Sequence, residues 1–100
     1  MCHNNPASST SPARVLVHPR VTRRHPDLTE RDVLAAWQRT IEFIHRADTG
    51  QWVVIGPAPD GRMVEMVAEK LPQGWLIYHA MTQPTRKTTT EIRAVRRRTR

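Results

Sequence analysis

Between residues 51 and 80 the chain reads as three consecutive β-strands, and that run constrains everything that can be built around it. Residues 51–56 are rich in β-branched side chains, which suit a pleated, half-buried surface. Pro57-Ala58-Pro59-Asp60-Gly61 is a turn, with Asp60-Gly61 its tightest signal. Residues 62–69 alternate: Val64, Met66 and Ala68 fall on one face, and Met63, Glu65, Val67 and Glu69 on the other. Residues 71–74 turn the chain again, and residues 75–80 form the third strand. Strict alternation there places Trp75, Ile77 and His79 on one face and Leu76, Tyr78 and Ala80 on the other.

A helix is expected upstream of these strands. Thr29 suits an N-cap, Asp32 follows three residues later, and acids crowd the first turn where the helix dipole favours them. Val33, Leu34, Trp37, Ile41 and Ile44 then recur at helical spacing, and Asp48-Thr49-Gly50 ends the helix. Earlier still, Arg14-Val15-Leu16-Val17 reads as a short edge strand stopped by His18-Pro19, and residues 20–26 as a basic connector or a single helical turn. After Pro84, residues 85–92 begin a C-terminal helix or stay irregular, since three successive threonines disfavour the helix. The expected fold is α+β: a small antiparallel sheet of three to four strands with one main amphipathic helix packed on one face. One domain spans residues 13–92, between a disordered N-terminal segment (1–12) and an Arg-rich tail (93–100).

The charge is unevenly spread. The net charge is +7, and the last eight residues hold five arginines and no acid, which leaves only +2 for the rest. Such a tail binds phosphate without sequence preference, or is a solvated end that aids solubility. Cys2 stands alone, which excludes an internal disulfide and any multi-cysteine metal site, and fits a reducing cytoplasm. No apolar run approaches the roughly 20 residues of a membrane span, and the start has no apolar signal core. His3, His18, His25, His45 and His79 lack the spacings of common zinc motifs, so no metal or other cofactor is expected.

Candidate chemistry gathers where the last strand runs into the basic loop Thr82-Gln83-Pro84-Thr85-Arg86-Lys87. A strand end holds a side chain rigidly, and the loop beyond admits a ligand. His79 can give or take a proton near neutral pH, or be a half-buried histidine satisfied by backbone partners. Arg86 and Lys87 can hold a phosphate or stabilise charge developing on it; as a bland alternative they are exposed loop or first-turn charges. Tyr78 beside them can place a substrate. Thr82 and Thr85 suit turn or N-cap roles better than phosphate binding. Glu65 is a candidate base from the neighbouring strand, although outward glutamates on strands are ordinary. Arg20, Arg23 and Arg24, with His25, form a second basic cluster, and Arg93, Arg96, Arg97 and Arg98 a third; both suit an RNA backbone, although a solvated connector accounts for the second somewhat better. Trp37, Trp52 and Trp75 lie in apolar periods and are expected in the core.

Several blocks resemble the RelE superfamily of bacterial toxins, in particular its BrnT-like branch. They are Ile55-Gly56, Gly61-Arg62-Met63-Val64-Glu65, Ile77-Tyr78-His79-Ala80-Met81, Arg86-Lys87 and Glu91. The likeness covers about residues 14–92. It implies the toxin of a type II toxin–antitoxin pair: a metal-independent ribonuclease acting on mRNA, free or on the ribosome, and neutralised in the cytoplasm by a cognate antitoxin protein. In that reading His79, Arg86, Lys87 and Tyr78 form the catalytic set. Two positions depart from the family pattern: Met81 stands where an arginine is expected and His79 where a serine is. These departures keep open an alternative, a non-catalytic nucleic-acid- or protein-binding module with the same fold.

Overall fold

The computed structural model describes the backbone of residues 14–98 and the side chains of residues 14–95. The N-terminal segment 1–12 and the final two residues of the Arg-rich stretch lie outside it, as do the side chains of Arg96, Arg97 and Arg98. In chain order the elements are β1 (Arg14–Val17), α1 (Pro19–Arg24), α2 (Glu30–Gln38), β2 (Glu42–Arg46), β3 (Gln51–Pro57), β4 (Met63–Leu71), β5 (Gly74–Thr82) and α3 (Arg86–Arg98). The five strands form one sheet in the order β1-β5-β4-β3-β2. The fold is therefore α+β, but the expected three- to four-stranded antiparallel sheet with one main helix is incorrect in strand number, strand direction and helix placement.

The extra strand comes from the segment expected to continue the helix. The capping box at Thr29 and Asp32 forms with both of its bonds at 3.0 Å, but α2 stops at Gln38. The chain then turns into β2, which pairs antiparallel with β3 from Glu42↔Ile55 to Arg46↔Gln51. Trp37, Ile41 and Ile44 keep helical spacing only by coincidence: Ile41 is 56% exposed, whereas Ile44 is buried on the opposite side of the sheet from Trp37. Because Phe43 packs on one face of the sheet and Ile44 on the other, the strand lacks the alternation that would have marked it. Gly50, at φ +76°, serves the tip of this hairpin rather than a helix end.

The change of direction comes from β1, which runs parallel to β5 with Arg14 opposite Gly74 and Val17 opposite Ile77. Gly74 is required there, because a Cβ would collide with the Arg14 backbone.

Helices cover both faces of the sheet. On one side α1 and α2 bury Val21, Val33, Ala36 and Trp37 against Val54, Met66, Ala68, Trp75 and Ile77. Gly56 lets α2 come close, since a Cβ there would strike the Ala36 carbonyl. On the other side Ile92 of α3 packs with Ile44, Val53, Ile55 and Val67. Trp37 and Trp75 are core residues as expected, while Trp52 is half-buried beside them. No helix among the described residues is long and apolar enough to cross a membrane.

Candidate functional site

Strand β5 does not keep its alternation. Ala68 pairs with Ile77, Val67 with His79 and Met66 with Ala80, so Tyr78 is an extra residue with no opposite number: a β-bulge. Ile77 and Ala80 both enter the core under α1 and α2. Tyr78 and His79 are consecutive, yet both turn to the α3 side, Tyr78 packing against the Ile92 cluster and His79 lying opposite Val67. The period-two expectation, which put His79 with Trp75 and Ile77, is corrected by this one residue.

Beside the bulge opens a cleft of about 360 Å³ to which five elements contribute. Tyr78 and His79 form one wall, Glu65 and Val67 of β4 the floor, and Arg46 and Gln51 of the β2–β3 hairpin one end. Arg20 and Arg24 of α1, with His25 at its C-cap, close the other. These three converge because His18 accepts a bond from the Arg20 amide through Nδ1 and Pro19 begins the helix, which starts α1 directly at the end of β1.

His79 has charged and titratable neighbours on two sides. Its Nε2 lies 3.9 Å from Glu65 Oε2, beyond a hydrogen bond but close enough for ionic attraction. Its ring meets that of His25 edge to face, with centroids 6.3 Å apart. Burial pushes the His79 pKa below its ordinary value; Glu65 opposes the shift, and His25 and Arg24 add to it. Glu65 is itself buried, and its Oε1 accepts from the Thr85 backbone amide at 3.1 Å. Thr85 in turn caps α3, accepting from the Thr88 amide at 3.2 Å, so the N-cap role fits. The floor of the cleft is thus tied to the start of α3.

A second polar chain leaves the cleft on the hairpin side. Gln51 Nε2 donates to the Tyr78 hydroxyl at 2.7 Å, and Arg46 Nη1 donates to Gln51 Oε1 at 3.1 Å. Arg46 also holds Glu91 of α3 through two bonds, at 2.9 and 2.8 Å. That paired geometry raises the Arg46 pKa and lowers that of Glu91.

The structure separates the residues singled out from sequence. Tyr78, His79, Arg20 and Arg24 meet in the cleft, and Arg23 lies in an adjoining groove with His18, Arg20 and Arg24. Arg86 and Lys87 are exposed on the first turn of α3, and neither lines the cleft. Arg93 is exposed further along α3. Arg46 and Gln51 were not legible as site residues, because each depends on hairpin pairing and on α3. Glu65 had a signal, an acid on the sheet face opposite the Met66 core, but its closeness to His79 depends on the bulge. Among the described residues no group of three His, Cys, Asp or Glu side chains is placed to hold a metal ion. Comparison with models of known protein families, with curated proteins and with solved structures found no match.

Proposed function

We propose that the chain is a metal-independent ribonuclease, the toxin of a type II toxin–antitoxin pair that acts on mRNA in the cytoplasm. The observation that supports it best is His79, flanked by Glu65 and His25 in a cleft edged by arginines. His79, whose pKa is lowered by burial, takes the proton from the RNA 2′-hydroxyl, and Glu65 stabilises the imidazolium that results. The 2′-oxygen bonds to phosphorus and the bond to the 5′-oxygen breaks. His25 gives its proton to that leaving oxygen. Arg24 offsets the charge on the phosphorane. The products are a 2′,3′-cyclic phosphate and a 5′-hydroxyl. This role for Arg24 replaces the one that the sequence resemblance gave to Arg86 and Lys87. The toxin part of the proposal rests on that resemblance, and growth arrest on induction, relieved by a neighbouring antitoxin gene, tests it.

The chemistry is tested by incubating single-stranded RNA with the purified chain in EDTA. Cyclic-phosphate products from the wild type, at least about 100-fold slower from His79→Ala, are expected for removal of a general base. Unchanged cleavage by His79→Ala would remove His79 from the mechanism. The alternative, a binding module without turnover, is favoured by Met81. It pairs directly with Glu65, where the expected family arginine would have stood beside the cleft. RNA retention without products from the wild type would select that reading.

A further inference from the structure

The cleft has a flat aromatic wall for which proton transfer and phosphate binding have no use. Tyr78 is half-buried, packed against the Ile92 cluster on the α3 side, and its hydroxyl is held by Gln51, which Arg46 holds in turn. The ring therefore has a fixed orientation. The guanidinium of Arg20 lies over it, with Cζ 6.0 Å from the ring centre, and Arg20 is exposed and so able to move. Two planar contacts of about 3.5 Å each need a gap of about 7 Å. A shift of at least about 1 Å in one surface side chain opens a slot the thickness of one aromatic ring. Unpaired bases are held in this way, between an aromatic face and an arginine plane.

We infer that Tyr78 and Arg20 form a nucleobase slot, in which one unpaired base of a single strand stacks on Tyr78 beneath the Arg20 guanidinium. The inference rests on the proposed ribonuclease reading and adds to it the form of the substrate. The bulge supplies the logic: by turning two consecutive residues to one side, it sets the stacking platform immediately beside His79. A base seated on Tyr78 thereby brings its own phosphodiester to the proton-transfer group. A duplex cannot present that base, so the slot selects single strands. Stacking needs only a π-face, so the slot itself tolerates any base.

The test uses all-deoxy single strands, which lack the attacking hydroxyl and cannot be cleaved, with one abasic position moved along the strand. Fluorescence anisotropy measures their affinity for the full chain. One abasic position should weaken wild-type binding by about five- to 150-fold, the worth of one base stacked on one aromatic ring. Tyr78→Leu should bind the intact strand as weakly as the wild type binds that abasic strand, and should no longer sense the abasic position. Tyr78→Phe, which keeps the ring, should retain most of the affinity; circular dichroism verifies that both variants fold. Salt-sensitive binding that is indifferent to every abasic position overturns the slot and leaves the RNA reading standing. Wild-type affinity in Tyr78→Leu overturns the slot as well. Failure of the wild type to bind any strand, deoxy or ribo, overturns both.

Discussion

Removing the Ile92 side chain beyond Cβ should undock α3 without unfolding the sheet. Ile92 is 2% exposed and is the main apolar anchor of the helix, joined by half-buried Val95. Ile92→Ala deletes three carbons. At about 0.8 kcal/mol each the transfer loss is about 2.4 kcal/mol. A residual cavity brings the total to about 3 kcal/mol, inside the range of about 2–5 seen for such truncations. Little else can compensate. A 13-residue helix is marginal by itself, and Arg86 and Lys87 in its first turn oppose the helix dipole. The Arg46–Glu91 pair is partly solvated, and the Thr85–Glu65 bond holds only the start of the helix. Native-state hydrogen exchange should then show protection of the α3 amides falling by about 100-fold, with β3 and β4 amides little changed. Ile92→Val should cost only about 1 kcal/mol. If the α3, β3 and β4 amides all lose protection by the same factor in Ile92→Ala, the helix and sheet unfold as one unit and the reasoning fails.

Three further expectations follow from other contacts. Gly56→Ala forces a Cβ onto the Ala36 carbonyl, and because the obstacle is backbone it should cost about 3 kcal/mol in urea denaturation; a loss under about 0.5 kcal/mol would show that α2 can move aside. The lowered pKa of His79 means that the unfolded chain takes this proton first as the pH falls, so its contribution to stability is full above its ordinary value of 6.5 and is lost below it. NMR titration should place its midpoint below 6.5, and Glu65→Gln, which removes the opposing carboxylate, should lower it further; an upward move contradicts the assignment of their interaction. Glu91 has the same sign in a more acidic window: its depressed pKa gives stability that is present above the ordinary carboxylate value and lost as the pH falls through the folded one, so Glu91→Gln should flatten the acid side of the stability profile. An equally steep acid side in Glu91→Gln would mean that the Arg46 pair contributes nothing there.

The parts of the fold legible in sequence were those set by neighbours along the chain. The Thr29–Asp32 capping box, the Asp60-Gly61 turn and the β3–β4–β5 meander depend on local hydrogen bonds and short-range alternation, and all three are present. Residues 41–46 misled because Phe43 and Ile44 are packed on opposite faces, which hides the period of a strand and leaves the accidental spacing of a helix. In the candidate site, His79, Tyr78, Arg20 and Arg24 were legible as residue types suited to RNA, and Arg86 and Lys87 were grouped with them because they follow closely in sequence, suit a phosphate and match the resemblance. Their exposure on the first turn of α3 matches the bland alternative, but their separation from the cleft could not be read there, since it depends on how Thr85 caps the helix against Glu65.

By itself, the sequence determined an α+β chain with a basic surface and a histidine–tyrosine pair late in its last strand. Tertiary structure alone decided that β1 lies parallel to β5, a pairing about 60 residues apart that the bare backbone of Gly74 permits. It also decided the bulge. Alternation along an isolated strand has a fixed period of two, and only pairing with β4 can leave Tyr78 unmatched and turn His79 away from the core toward Glu65. The residues that could act were written in the chain, but the face on which they meet was set by strand register, which depends on two strands at once.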